Sequence, residues 1–430
     1  MNQRRLLLTA MTFGSSLASF AAYTLLLQFL GSSSRVDIIF YAASLPMAVA
    51  GLVSGVLLYS LPPRLTQVGA RRQLSTVRLL LDLTIVLTVV GVLIGVAGAS
   101  IATDGLFPWL LGGFILTGGL TVMSTIAICL SQSRGAYLRS GAGPLVASLG
   151  LLAGSLAAIA WRTEWLLLVG QLIGTAISIW IVARGYRIGA ETFVRHNWQI
   201  GARNLAPLRK HILAICMGTL TFSLFSPIDA ALCTQLGSGS VTVMAYSLRV
   251  LIACGTAISL GAYVIAARTS SDAMLAGGLP ALRKMATREV ARIVFLGLLL
   301  WLVYILGGDQ ILVRLFSTSN MPANDVARLR DCLAIMLIAA GPMTAIPYLF
   351  RVFYTLSQYR KPALIGVCVP PLYAGIAFAL LPSQQILGLA ISFAIVWWIS
   401  FVVTLYWLLN HKQTNNSDRN NAYSHATAAP

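Results

Sequence analysis

Residues 30–64 read LGSSSRVDIIFYAASLPMAVAGLVSGVLLYSLPPR, and residues 236–268 read LGSGSVTVMAYSLRVLIACGTAISLGAYVIAAR. Each is a short Gly/Ser turn, then a long apolar segment, then a basic exit. With one gap at Arg35, Leu30 aligns with Leu236, Gly31 with Gly237, Tyr41 with Tyr246 and Ser54 with Ser259. From 30–59 against 236–264, 8 of 29 pairs are identical. The same turn, helix start and basic exit recur in order, so the chain reads as a duplicated membrane unit.

Working outward, composition sets the class. The chain is 57% hydrophobic and 10% charged, with mean hydropathy +0.82, far from the quarter charged of soluble domains. A bilayer-spanning helix needs about 20 mostly apolar residues. Such runs fall near 6–30, 37–61, 77–99, 108–130, 142–160 and 165–183, and again near 211–236, 241–267, 290–313, 332–356, 362–381 and 386–409. The apolar run to Leu30 is too long for the core of a signal peptide, so it reads as the first span. The expected fold is an all-α polytopic membrane protein, with about 12 transmembrane helices in two parallel six-helix bundles. The expected division is 1–183 for the first bundle and 184–210 for a cytoplasmic basic linker. The second bundle takes 211–409, and 410–430 form a polar, disordered cytoplasmic tail. Residues 273–292 can form a short amphipathic helix at the interface, and the linker reads as a surface segment lying on anionic lipid.

Charge tests that count. The net charge of +18 would suit nucleic acid, but no basic domain stands apart from the spans. With a cytoplasmic N-terminus, 23 Lys and Arg fall in inside segments and 5 in outside loops, leaving Arg249 and Arg351 within spans. That split follows the positive-inside rule, so both ends are expected in the cytoplasm. Two halves of six spans start on the same side and are therefore parallel repeats, a design common among secondary transporters.

The outer loops are short, the longest around 314–331, and no nucleophile has a base nearby. No P-loop occurs, so ATP is not the direct energy source. An enzyme is not expected. The cysteines, 129, 216, 233, 254, 332 and 368, lack metal-ligand spacing and read as buried, inert thiols. Neither metal nor cofactor is expected, though a coupling ion, Na⁺ or H⁺, stays open.

Ionisable groups in hydrocarbon are costly and usually face a cavity or a partner. Arg249, eight residues past Val241 in the eighth span, is the deepest. Its planar fork suits phosphate or carboxylate, or it forms a structural ion pair with Asp229 or Asp37. Arg351 contacts an inner gate or snorkels to the inner interface. Asp37 lines the outer mouth of the second span or caps its start. Asp229, after Ser226-Pro227, is an ion site, an Arg partner or a local cap. Asp82 pairs most simply with Arg78. Tyr41 and Tyr246 line a shared cavity or serve packing. Pro46, Pro227, Pro342, Pro347, Pro370 and Pro371, with glycine pairs 112–113 and 118–119, suit kinked helices that pack closely and rock.

Three motifs in register carry a resemblance. SRVDIIFYAASLP is similar, at Asp37, Phe40, Ala42 and Pro46, to a D-A-F-F-x-A-x-x-x-P pattern. SPIDAALCTQLGSGSVTVMAYSLR matches a second at Asp229, Gly239, Tyr246 and Arg249. FYTLSQYRKP is similar to F-Y-A-L-x-D-x-x-x-P. Over residues 1–410 the chain resembles the MurJ/MviN-like flippases of the multidrug/oligosaccharidyl-lipid/polysaccharide (MOP) exporter superfamily. The resemblance implies a MOP/MATE-like fold and an inner-membrane flippase. It would move a polyprenyl-(pyro)phosphate-linked glycan for surface or exopolysaccharide synthesis by alternating access, with Arg249, Arg351, Asp37, Tyr41 and Tyr246 at the cavity. Family flippases for the peptidoglycan precursor carry arginines in the first span and beside the second-span Pro. Here those stretches read GSSLASFAAYTLLLQ and PMAVAGLVSG. The family often has 14 spans, against 12 here. Both departures point to another polyprenyl-linked glycan. A cation-coupled multidrug antiporter and a non-transporting scaffold of a polysaccharide-synthesis complex are the alternatives. Expected partners are the polyprenyl-linked oligosaccharide, membrane lipids and other polysaccharide-synthesis proteins, with no nucleic acid.

Overall fold

The computed structural model describes residues 2–66, 68–102, 107–163, 165–184, 186, 195–259, 262–317 and 319–410. The tail 411–430 and linker residues 187–194 lie outside the described residues. Among those described, every regular element is helical, and twelve helices are long and apolar enough to cross a membrane. Spans 1–6 are Ala10–Leu30, Ser34–Thr66, Ala70–Ile101, Phe107–Ser133, Tyr137–Trp161 and Leu166–Ala183. Spans 7–12 are His211–Leu236, Ser240–Ser259, Asp272–Phe316, Ala323–Thr355, Arg360–Gln384 and Ile386–Leu409. Each expected apolar run has its helix, and the chain is a multi-pass membrane protein.

Within hydrocarbon nothing but fit distinguishes one apolar helix face from another, so small residues set the packing. Span 4 is central to the first half, and its glycine pairs each serve two neighbours. A Cβ on Gly112 would meet Val96 of span 3, and one on Gly113 would meet Leu168 of span 6. Gly118 lies against Pro46 and Ala50 of span 2, and Gly119 against Thr88 of span 3. Spans 5 and 6 cross where Gly150 faces Gly174 and Gly154 faces Gly170, backbone on backbone. The second half packs around large rings instead: Phe350, Phe353, Tyr373, Phe393 and Trp397 are fully or almost fully buried. Span 11 lies on spans 7 and 12, and spans 1 and 2 meet spans 7 and 8 across the halves.

Local breaks follow the sequence. Span 7 is two helices, Arg209–Ser223 and Phe225–Cys233, because the Pro227 ring crowds the carbonyl four residues back, at Ser223. The segment 273–292 does not form a separate interfacial helix. Within Ala262–Val303 the chain is two helical stretches joined by a kink at Gly277 and Gly278, so the break falls inside this segment and its second part runs on into span 9. Its apolar stripe, Leu279, Leu282, Ala286 and Val290, is buried in the core and continues into Ile293. A stripe made for a protein core and one made for a lipid surface have the same period.

The linker also differs from the expectation. Helix Arg195–Leu205 lies against the start of span 3, not on lipid alone. The indole Nε1 of Trp198 donates to Asp82 Oδ2 at 2.7 Å, and Ser75 Oγ donates to Asn197 Oδ1 at 3.3 Å. Asn204 Nδ2 donates to Thr76 Oγ1 at 3.1 Å. Gly201 allows the approach, since a Cβ there would meet the Ser75 carbonyl at 2.9 Å. Buried polar groups need partners, and residues 75, 76 and 82 present theirs along this docking face. Three thiols, Cys129, Cys233 and Cys332, are buried as expected, whereas Cys368 is exposed.

Candidate functional site at the meeting of the two halves

The repeated Gly/Ser turns meet at the end of the molecule opposite the linker. Gly31, Gly237 and Gly239 have φ of 68°, 90° and 87°, a region that favours glycine. Space demands glycine as well. A Cβ on Gly31 would stand 2.4 Å from the Asn320 carbonyl, and one on Gly239 would stand 2.6 Å from Asp325 Oδ2. The close approach lets polar groups bridge the halves. Gln28 Nε2 donates to the Leu315 carbonyl at 2.8 Å, Asn320 N–H to the Gln28 carbonyl at 2.9 Å, and Ser32 Oγ to Asp325 Oδ2 at 2.5 Å.

Asp37 is the centre of this seam. Its Oδ2 accepts from Gly239 N–H at 2.6 Å. Its Oδ1 accepts from Thr242 N–H at 2.8 Å and from Thr242 Oγ1 at 2.5 Å. The first N–H groups of a helix have no intrahelical partner, and the N-terminus is the positive end of its dipole. Asp37 therefore caps a helix, but it is span 8 of the other half rather than its own span 2. It forms no ion pair with Arg249.

One level deeper, the Arg249 guanidinium lies 3.6 Å from the Tyr23 ring centre and 5.3 Å from that of Phe40. These rings belong to spans 1 and 2, and the half-buried Arg249 reaches them from span 8. Asp229 is not its partner either: it is buried in the second half and accepts from the Tyr373 hydroxyl, beside Phe225 and Phe393. Among the described residues Arg249 has no carboxylate partner. Ring faces attract a cation without neutralising it, so the site presents a positive fork where three spans converge. Between spans 1 and 8 an apolar cleft of about 200 Å³ opens, with Leu17 and Phe20 on one side and Val250, Ala253 and Ala257 on the other.

The two tyrosines part company. Tyr246 is buried, with its hydroxyl 2.7 Å from Thr24 Oγ1, while Tyr41 is exposed and lies near Phe107. Arg351 sits towards the linker end, 5.4 Å from the Tyr59 ring centre, and Tyr59 meets Tyr354 edge-on at 5.1 Å. Below that, span 2 touches span 7 at Gly55 and Thr219. The halves thus touch at both ends, through hydrogen bonds at the turn end and rings at the linker end.

One polar feature escaped the sequence. A cavity of about 280 Å³ inside the first half is lined by Ser15, Ser19, Thr121, Ser124, Ser148 and Gln171, among others. Ser15 and Ser19 both hydrogen-bond Ser148. Hydroxyls in apolar spans commonly bond their own backbone four residues back, as Thr24 and Ser60 do here, so composition alone does not single these out. Their only signal is the cluster GSSLAS in span 1. Among the described residues no group of His, Cys, Asp and Glu is arranged to hold a metal.

Comparison with known proteins agrees with this architecture. The family model described as lipid II flippase MurJ matches residues 28–427. A structure of lipid II flippase MurJ in an inward closed conformation superposes with a TM-score of 0.74 at 12% identity, over 98% of this chain and 90% of that one. A MATE transporter in complex with MaL6 gives 0.69 at 12% identity, over 99% and 97%. An inward-facing multidrug resistance MATE transporter of the MOP superfamily gives 0.65 at 15%, over 98% and 96%. No curated protein matches the chain by sequence. The solved structures share the fold, and the family model covers nearly the whole sequence: the chain belongs to the MurJ lipid II flippase family, a family of transporters and not of enzymes.

Proposed function

We propose that this protein is an inner-membrane flippase that moves a polyprenyl-(pyro)phosphate-linked glycan precursor across the bilayer by alternating access, with both termini in the cytoplasm. The observation that carries the reading is Arg249, held on Tyr23 and Phe40 without a carboxylate partner among the described residues. A phosphate-bearing sugar head group cannot cross hydrocarbon unaided. A guanidinium between the halves gives it a charged, bidentate contact. The apolar cleft between spans 1 and 8 gives the lipid tail a way to stay in the bilayer while the head group is held. Arg351, on Tyr59 at the opposite end, is placed to meet the head group from the cytoplasmic side. An ion gradient or the membrane potential drives the cycle.

The glycan is one other than that of lipid II, made for an exopolysaccharide or surface polymer. The support is the character of residues 14–28 in span 1 and 46–55 in span 2, where the only polar side chains are Ser, Thr, Tyr and Gln and no arginine occurs. The test is deletion of the gene followed by mass spectrometry of polyprenyl-linked lipids. A lipid-linked oligosaccharide should accumulate on the cytoplasmic side, and its mass identifies the glycan. Wild-type protein should clear it. Arg249→Ala, present in the membrane at normal level, should not. Full clearance by Arg249→Ala would overturn the role of that residue, and accumulation of lipid II itself would overturn the assignment to another glycan.

A further inference from the structure

At the linker end of the first half, a cavity of about 530 Å³ opens between the start of span 5 and the end of span 6, lined by Arg139, Trp180, Ile181 and Arg184. It lies far along the chain and the fold from Arg249, and transport as proposed above does not use it. We propose that this pocket is a binding site for the phosphate head group of an anionic phospholipid in the cytoplasmic leaflet.

The first argument is charge. Arg139 Nη1 donates to the Arg184 carbonyl at 2.8 Å, which ties the two spans together and fixes one arginine against the other. Arg184 lies 5.1 Å from the Trp180 ring centre. Arg134 and Arg139 lie 4.9 and 6.0 Å from that of Tyr186. Arg134 Nε also donates to Gln73 Oε1 at 3.0 Å. Every one of these contacts is to a ring face or a neutral oxygen. Among the described residues none of the three forms an ion pair, and no carboxylate lines the cavity. Three like charges gathered at one helix junction, with no counter-charge among the described residues, favour an anion between them.

The second argument selects the source of that anion. From Arg184 the same face of span 6 runs away from the linker end through Trp180, Ile177 and Ile173, spaced by three and four residues as a helix face requires. These side chains are 61%, 44% and 54% exposed. A free phosphate has no use for this strip. A phospholipid does: its head group meets the arginines, Trp180 sits at the interfacial level that indoles prefer, and an acyl chain lies along the isoleucines. Basic pockets between helices at the cytoplasmic side recognise anionic head groups in this way.

The experiment uses the full chain in detergent, titrated with dioleoylphosphatidylglycerol and read by native mass spectrometry. Dioleoylphosphatidylcholine is the neutral arm, and inorganic phosphate is the competitor. The double variant Arg139→Gln/Arg184→Gln should bind the first phosphatidylglycerol roughly thirtyfold more weakly, from the usual contribution of each basic residue near an anionic surface. Arg71→Gln/Arg72→Gln removes the same charge from exposed positions at the same end and should change affinity less than threefold. If the double variant fails to fold, the single Arg184→Gln, at an exposed side chain, should show about a fivefold loss. The proposal is overturned if both pairs lose affinity equally, if the Arg139/Arg184 variants bind as wild type, or if millimolar inorganic phosphate displaces the lipid.

Discussion

Replacing Asp37 with Ala should open the turn end of the molecule. The carboxylate accepts three hydrogen bonds from the first turn of span 8, and all three cross between the halves. Loss of an N-cap acceptor costs about 0.5–2 kcal/mol, and a hydrogen bond to a charged group contributes a net of about 1.5–3 kcal/mol when buried. Asp37 is half-buried, so water recovers part of this when the seam parts. A net of about 2 kcal/mol favouring the closed arrangement is a fair working figure, and it corresponds to roughly a thirtyfold shift between closed and open populations. The readout is the distance between spin labels at Ser34→Cys and Gln235→Cys, both at exposed positions on opposite halves. Cys216, Cys254 and Cys368 would be replaced by Ser beforehand. The ratio of long to short distances should rise about thirtyfold in Asp37→Ala. In Asp37→Asn, which keeps one acceptor oxygen, the rise should be smaller. If Asp37→Ala gives the wild-type distance distribution, the hydrogen bonds do not hold the seam and the reasoning fails.

Three further outcomes follow from packing and charge. Gly366→Ala would place a Cβ 1.6 Å from the Met217 carbonyl oxygen, whereas Gly375→Ala on the same span meets nothing within 4 Å. Melting in detergent should therefore show the first destabilised by at least the 1–3 kcal/mol typical of overpacking and the second unchanged or slightly stabilised; equal melting points would refute the packing of span 11 on span 7. Trp198→Phe removes a hydrogen bond to the fully buried Asp82, worth about 1.5–3 kcal/mol, so it should melt several degrees below the exposed-site control Gln199→Ala. Arg249→Lys keeps the charge but loses the fork, so precursor clearance should fall between wild type and Arg249→Ala; a lysine variant as active as wild type would show that charge alone suffices.

The spans were legible because bilayer thickness dictates their length and composition, and no other structure requires twelve such runs. The site was legible in its residues and not in their partners. Asp37 beside a Gly/Ser turn reads as a capping residue, and it is one, but the helix it caps begins some 200 residues later, and a single sequence carries no sign of that pairing. Arg249 in a span reads as needing an acceptor, and carboxylates at 37 and 229 were the natural candidates. The structure gives both carboxylates other donors and gives Arg249 the faces of Tyr23 and Phe40. Aromatic residues abound in every span, so their selection as partners depends on how spans 1, 2 and 8 converge. The docking of the linker helix on span 3 is not legible because its buried face, Asn197, Gly201 and Asn204, has the composition of an exposed one. Only the equally polar turns of span 3 make it a docking surface.

The duplication itself explains why the two copies had to diverge where they did. With the gap at Arg35, Asp37 aligns with Thr242, and these two residues hydrogen-bond each other across the seam. Positions on an axis that relates two repeats meet their own counterparts when the repeats close. Had both copies kept Asp, two carboxylates would face each other at hydrogen-bonding distance, and like charges so close cannot both remain ionised without cost. Had both kept Thr, the first turn of span 8 would lose its anionic cap. One acceptor and one donor solve both problems, and they require the sequences to differ at that position. The low identity of the repeat is thus partly a consequence of its closure, and the aligned Gly31 and Gly237, which both hold positive φ, are a part both copies could keep.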